Sequence, residues 1–160
     1  ETATLRQVDL RKSRWHGVLW NRVQARYCDL TEIDFTGGQL LRCDLGPLRM
    51  GRSLFRGARL SGCKLTQAEL YGADFAHAVL TKVVFDGYDG ATVSLSRTDW
   101  SHAALIDVDF RAANLYGARF AGALLVRCNL AGSNLSSAEL RGARLVGCRT
   151  DGADLDEVVL

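Results

Sequence analysis

The chain has one proline, one methionine and no apolar run approaching the roughly 18 residues a membrane-crossing helix needs. Charge makes up 24% of its 160 residues and nets only +2. That balance excludes a disordered polyelectrolyte and a strongly basic nucleic-acid binder. No Cys or His pair has zinc-ligand spacing, and no Gly-x-Gly-x-x-Gly or phosphate-loop pattern occurs. No Ser, His and Asp can be argued into one catalytic group. Catalytic residues, metal ligands and cofactors are therefore all expected to be none, and no membrane association is expected. No signal peptide is visible. The chain opens at Glu1 in mid-pattern, so the natural protein is expected to extend further. Five cysteines are an odd number, and that favours reduced, packed thiols in a cytoplasmic protein over a disulfide framework.

What is present is a period of five. From Leu5 to Leu160, every position numbered in a multiple of five is Leu, Phe, Trp or Met, except Ala25, Gly90 and Thr150. All six Phe and all three Trp fall in this class of centres. The residue two before each centre is mostly small or β-branched, and this second class holds all five cysteines. Neither class contains a charge. A helix of period 3.6 or a strand of period 2 cannot produce this pattern, so the chain reads as a solenoid of pentads. Most of the 16 glycines lie two residues past a centre, where the chain turns a corner. Pro47 also sits at a corner.

Segments such as Ala73-Asp74-Phe75, Ala113-Asn114-Leu115-Tyr116-Gly117, Ser133-Asn134-Leu135 and Ala153-Asp154-Leu155 carry the pattern in full. In this the chain resembles the pentapeptide repeat family, with its A-(D/N)-L-x-x consensus, over its whole length. The resemblance implies an all-β fold, a right-handed quadrilateral β-helix in which four pentads make one coil. Residues 1–160 would then form a single domain of about eight coils. Centres four pentads apart would stack, giving a core ladder of Trp15, Phe35, Phe55 and Phe75, with Trp100 and Phe120 neighbours on another column. Cys43 with Cys63, and Cys128 with Cys148, would lie on adjacent coils, with β-carbons too far apart for a disulfide. The pattern weakens at Asp86-Gly87-Tyr88-Asp89-Gly90, which reads as an irregular coil or bulge at 86–90, or as a loop that meets a partner.

Outward positions taken at every fourth pentad give the candidate binding features. One is an acidic column of Asp9, Asp29, Glu69, Asp89 and Asp109, broken by Arg49. Its alternative is structural: an Asp or Asn just before a centre can bond nearby backbone at the corner. A second column is Arg22, Arg42, Lys82 and His102. A third feature is an apolar contact strip of Val84, Ala104 and Leu124 beside Ile106, Val126 and Val146. Such a strip marks a protein contact, unless exposed Val and Ile are there only because they suit strands. His16 and His77 share a side three coils apart, and His102 falls on the next side.

A filled interior and a convex exterior point to a non-enzymatic interaction or scaffold module with a protein partner. A homodimer through a rod end or the apolar strip is also expected. The resemblance implies one alternative, since some members bind DNA gyrase or topoisomerase IV by mimicking DNA. Here the net charge of +2 and the repeat running to Leu160, with no C-terminal dimerisation helix, depart from those members.

Overall fold

The computed structural model describes residues 2–85 and 92–160. The irregularity expected at 86–90, with Tyr88, Asp89 and Gly90, lies outside the described residues.

Centres and small positions point inward as their chemistry demands. Phe35, Phe55, Phe75, Leu80, Trp100 and Leu115 are fully buried, and so are the small residues Ala58, Ala73 and Ala78 between them. Among the described residues, ten short parallel strands carry the most regular stretches: β1 (Thr4–Arg6), β2 (Leu19–Asn21), β3 (Gln24–Arg26), β4 (Gln39–Leu41), β5 (Asp44–Leu45), β6 (Arg59–Ser61), β7 (Val79–Thr81), β8 (Ala104–Ile106), β9 (Leu124–Val126) and β10 (Arg144–Val146). They lie on two of the four sides. Side one is β1-β3-β5, extended by single bridges through Lys64, Val84, Asp109, Asn129 and Arg149. Side four is a seven-stranded sheet in the order β2-β4-β6-β7-β8-β9-β10. Sides two and three are bridges only, running from Asp9 to Asp154 and from Arg14 to Val159.

Corners follow one rule. Among the described residues from Gln7 to Glu157, the residue two past a centre takes a φ between +52° and +67° at 28 places, 11 of them glycine and 17 not. A non-glycine residue there costs about 1–2 kcal/mol. The corner N–H recovers part of that by donating to the next rung, as Lys12 does to the Thr31 carbonyl at 3.0 Å. Pro47 cannot adopt a positive φ, so its corner takes another path. Its neighbour Gly46 lies so close to the next rung that a Cβ would sit 1.8 Å from the Thr66 carbonyl oxygen.

The uniform count of four pentads per turn does not hold. Side two has eight rungs, Asp9, Asp29, Arg49, Glu69, Ser94, Asn114, Asn134 and Asp154. Of the seven turns between them, the one from Glu69 to Ser94 takes five pentads where the others take four. The same longer step appears on every side, at Val84–Asp109, Asp74–Asp99 and Val79–Ala104. One extra pentad has been taken up between Val84 and Ser94, and every later residue is displaced by one side from its expected place. Trp100 therefore does not start another column. It stacks on Phe75 at 4.2 Å between ring centroids and carries the Phe35–Phe55–Phe75 stack on to Phe120. Phe85 and Phe110 form a second stack at 5.2 Å. Trp15, half-buried, meets Trp20 edge-on, and Trp20 meets Phe35 the same way.

The three buried polar residues are satisfied locally, whereas the buried Ser101 Oγ has no hydrogen-bond partner among the described residues. Ser53, Thr98 and Ser133 donate to the carbonyls of Met50, Leu95 and Leu130. Two of the three tryptophans find their acceptor two residues earlier, Trp15 Nε1 on Ser13 Oγ at 2.8 Å and Trp100 Nε1 on Thr98 Oγ1 at 2.7 Å. All five cysteines are free. Burial is the leading cause that pushes the Cys128 thiol up to about 11.

Candidate interaction faces

With the interior closed, the outward side chains are those flanking each centre, and the five-pentad turn changes which of these share a face. Asp9, Asp29 and Glu69 remain in one column on side two, with Arg49 between them. Beyond Glu69 that column continues as Ser94, Asn114 and Asn134. Asp109 does not belong to it. It lies on side one above Val84 and pairs with Arg111. Asp89 lies outside the described residues.

These carboxylates also have work at the backbone. The oxygen of an Asp or Asn before a centre accepts the N–H two residues on, as in Asp9–Arg11, Asp29–Thr31, Asp74–Ala76, Asp99–Ser101 and Asn134–Ser136. Hydrogen bonds from Arg11 hold the Asp9 carboxyl down to about 2. The backbone role of these residues is thus visible along the rod, and no unbroken negative stripe forms among the described residues.

The histidines are also rearranged. His102 stacks on His77, with centroids 5.2 Å apart and planes 12° from parallel. Face-to-face rings keep their nitrogens in separate planes, so one metal ion cannot accept both in-plane lone pairs. Among the described residues no group of three or more His, Cys, Asp or Glu is placed to hold a metal. No helix there is long and apolar enough to cross a membrane. A shallow notch of about 300 Å³ follows the Pro47 corner, lined by Tyr27, Asp29, Leu48, Arg49, Gln67 and Glu69. Its charges are mixed, and it gathers no catalytic grouping.

The apolar residues share one side with one exchange. Leu124 and Ala104 continue into Val79, not Val84, and beside them run Thr81, Ile106, Val126 and Val146. All belong to side four. Val79, Ala104, Ile106, Leu124 and Val126 are half-buried, and Val146 is 48% exposed. The corner that follows this side is Arg22, Arg42, Gly62, Lys82, Asp107 and Arg127, so Asp107 stands where His102 was expected. The strip lacked Val79, and the Arg59–Val79–Arg144 alignment went unseen, because both require counting five pentads across one turn.

The repeated inward pattern, the positive-φ corners and the parallel rungs are what a pentad solenoid requires, and a family model decides the matter. Eight copies of the model described as "Pentapeptide repeats" match residues 52–87, 93–125, 113–149 and 123–160. The chain belongs to the pentapeptide repeat family.

No curated protein matches this pentapeptide repeat chain. Solved structures do. Rfr23, a pentapeptide repeat protein from the cyanobacterium Cyanothece 51142, is 21% identical with a TM-score of 0.49, over 94% of this chain and 91% of its own. HetL from the cyanobacterium Nostoc sp. strain PCC 7120, involved in heterocyst differentiation regulation, is 21% identical with a TM-score of 0.42, over 99% and 87%. A trypsin-treated QnrB1, a plasmid-mediated fluoroquinolone resistance protein, is 17% identical with a TM-score of 0.46, over 99% and 91%.

Proposed function

We propose that this pentapeptide repeat protein is a non-enzymatic protein–protein interaction rod, a stiff scaffold whose outer side chains are presented at the spacing of its rungs. The observation that carries this reading is the closed interior. Among the described residues, inward positions are filled by packed apolar or hydrogen-bonded small residues, leaving ladders of outward residues about 4.8 Å apart as the variable surface. The inward thiols suit a reducing, cytoplasmic setting. Topoisomerase binding by DNA mimicry, the alternative implied by the family resemblance, needs a continuous negative stripe. The side-two column is interrupted by Arg49 and is neutral from Ser94 through Asn134 before ending at Asp154, which weighs against it.

A photo-crosslinking amino acid placed in cells at Asn129, Asn114, Ala121 or Ile106 samples sides one to four in turn. An interaction rod gives protein adducts concentrated on one side. Absence of adducts from all four would overturn the proposal. Protection of gyrase supercoiling from a fluoroquinolone by the purified rod would instead favour the topoisomerase reading.

A further inference from the structure

We infer that side four is a docking face for an acidic, apolar-striped segment of a partner protein. This rests on the interaction-rod reading and names the face and the chemistry of its partner. Three observations converge on it. The first is continuity: among the described residues side four alone is built throughout from strands, seven in a row, and its β7 to β10 portion presents Val79, Ala104, Leu124, Ile106, Val126 and Val146 outward.

The second is charge. Side four and its following corner carry the bases Arg22, Arg42, Arg59, Lys82, Arg127 and Arg144 against a single acid, Asp107. Asp107 is engaged by Arg127 at 2.7 Å. Among the described residues the other five bases make no ion pair. On the remaining sides, pairs such as Arg26–Asp44, Arg111–Asp109, Arg56–Asp74 and Arg119 with Asp99 and Glu139 neutralise much of the charge internally. Apart from Lys82, whose charge Asp107 also feels, side four thus offers positive charge left unmatched among the described residues. Glycines keep this ridge low, since the stem of Arg42 lies over Gly62 and that of Arg127 over Gly147.

The third is size and symmetry. Seven rungs at about 4.8 Å span roughly 30 Å, the length of a helix of about 20 residues. A face of that length and one strand triplet wide falls well short of the ~800 Å² per partner of a standard interface. The flanking bases must therefore take part. A second copy fits poorly: a two-fold axis through β8 would set β6 against β10 and β7 against β9, placing Arg59 opposite Arg144 and Lys82 near Arg127. Nucleic acid fits poorly too, because its phosphates would lie over Val, Ile and Leu.

The test uses the folded rod and fluorescent helical peptides of about 20 residues, read by anisotropy at near-physiological salt. One peptide has a Leu stripe with Glu elsewhere, the second exchanges Glu for Lys, and the third exchanges Leu for Ser. A DNA duplex of comparable charge is the fourth probe. The Leu/Glu peptide is expected to bind at least tenfold more tightly than the other three. Two variants, Arg42→Glu with Lys82→Glu and Ile106→Ser with Val126→Ser, should each weaken it at least tenfold. Their thermal melts show whether they fold, and the charge-reversed rod should gain the Leu/Lys peptide. No binding of the Leu/Glu peptide at about 100 µM, equal binding of the Leu/Lys peptide or the duplex, or sedimentation as a dimer that either variant dissociates would each overturn the inference. Crosslinks concentrated on another side would refute this face while leaving the interaction rod standing.

Discussion

Removing residues 86–90 should leave every rung stacked as it is. Two pentads separate Val84 from Ser94, the neighbouring bridges of sides one and two, where one suffices at Asp44–Arg49 and Lys64–Glu69. After the deletion Ala91-Thr92-Val93-Ser94-Leu95 would follow Phe85 directly. That is a complete pentad, with Val93 and Leu95 already buried. Two costs and gains can be weighed. Thr92 would move to the corner position where its equivalents have a φ near +55°, at about 1–2 kcal/mol for a residue with a Cβ. Halving the connection returns about 0.6 kcal/mol of loop-closure entropy. The net loss is about 1 kcal/mol, or roughly 2–4 °C in melting temperature for a chain of this size. Adding Thr92→Gly should recover most of it. Calorimetry gives the stability, and near-ultraviolet circular dichroism reports whether Trp100 still stacks between Phe75 and Phe120. A fall of more than about 10 °C, or loss of the aromatic signal, would refute the five-pentad count on which the faces depend.

Three further outcomes follow from the core and the corners. Thr98→Val keeps the volume but strands the Trp100 indole N–H, so urea unfolding should show a loss of about 1–3 kcal/mol, with no comparable loss for Thr4→Val at an exposed position. Gly46→Ala would drive a Cβ into the Thr66 backbone, whereas at Gly57 nothing lies within 4 Å and only its φ of +60° resists. The first should cost about 3 kcal/mol and the second about 1 kcal/mol, and equal losses in thermal melts would contradict the rung spacing at Pro47. The Cys128 thiol is raised in the folded state, mainly by burial, to about 11. Its contribution is therefore fully present below the unfolded thiol value and is lost as pH rises from there through the folded value. Wild type should lose about 2 kcal/mol more than Cys128→Ala between pH 8 and 10.5 in urea titrations, and parallel slopes would rule this out.

Much of this was open to inspection in the residue order alone. The inward classes, the corner positions, the interior thiols and the aromatic stack from Phe35 to Phe75 all follow from one physical constraint. Only apolar or small side chains tolerate a dry interior, and a period of five places them there whatever the neighbouring coils do. The candidate faces were less accessible. Val79 in place of Val84, Asp107 in place of His102, Asp109 separated from Glu69, and His77 stacked on His102 all turn on how many pentads close one turn. The weakened pentad at 86–90 marks where the pattern is broken, but nothing in the residue order says that the break adds a whole pentad to one turn. The choice is made by hydrogen bonds between rungs, such as Phe75 to Asp99 at 2.7 Å, which exist only once the coils are stacked.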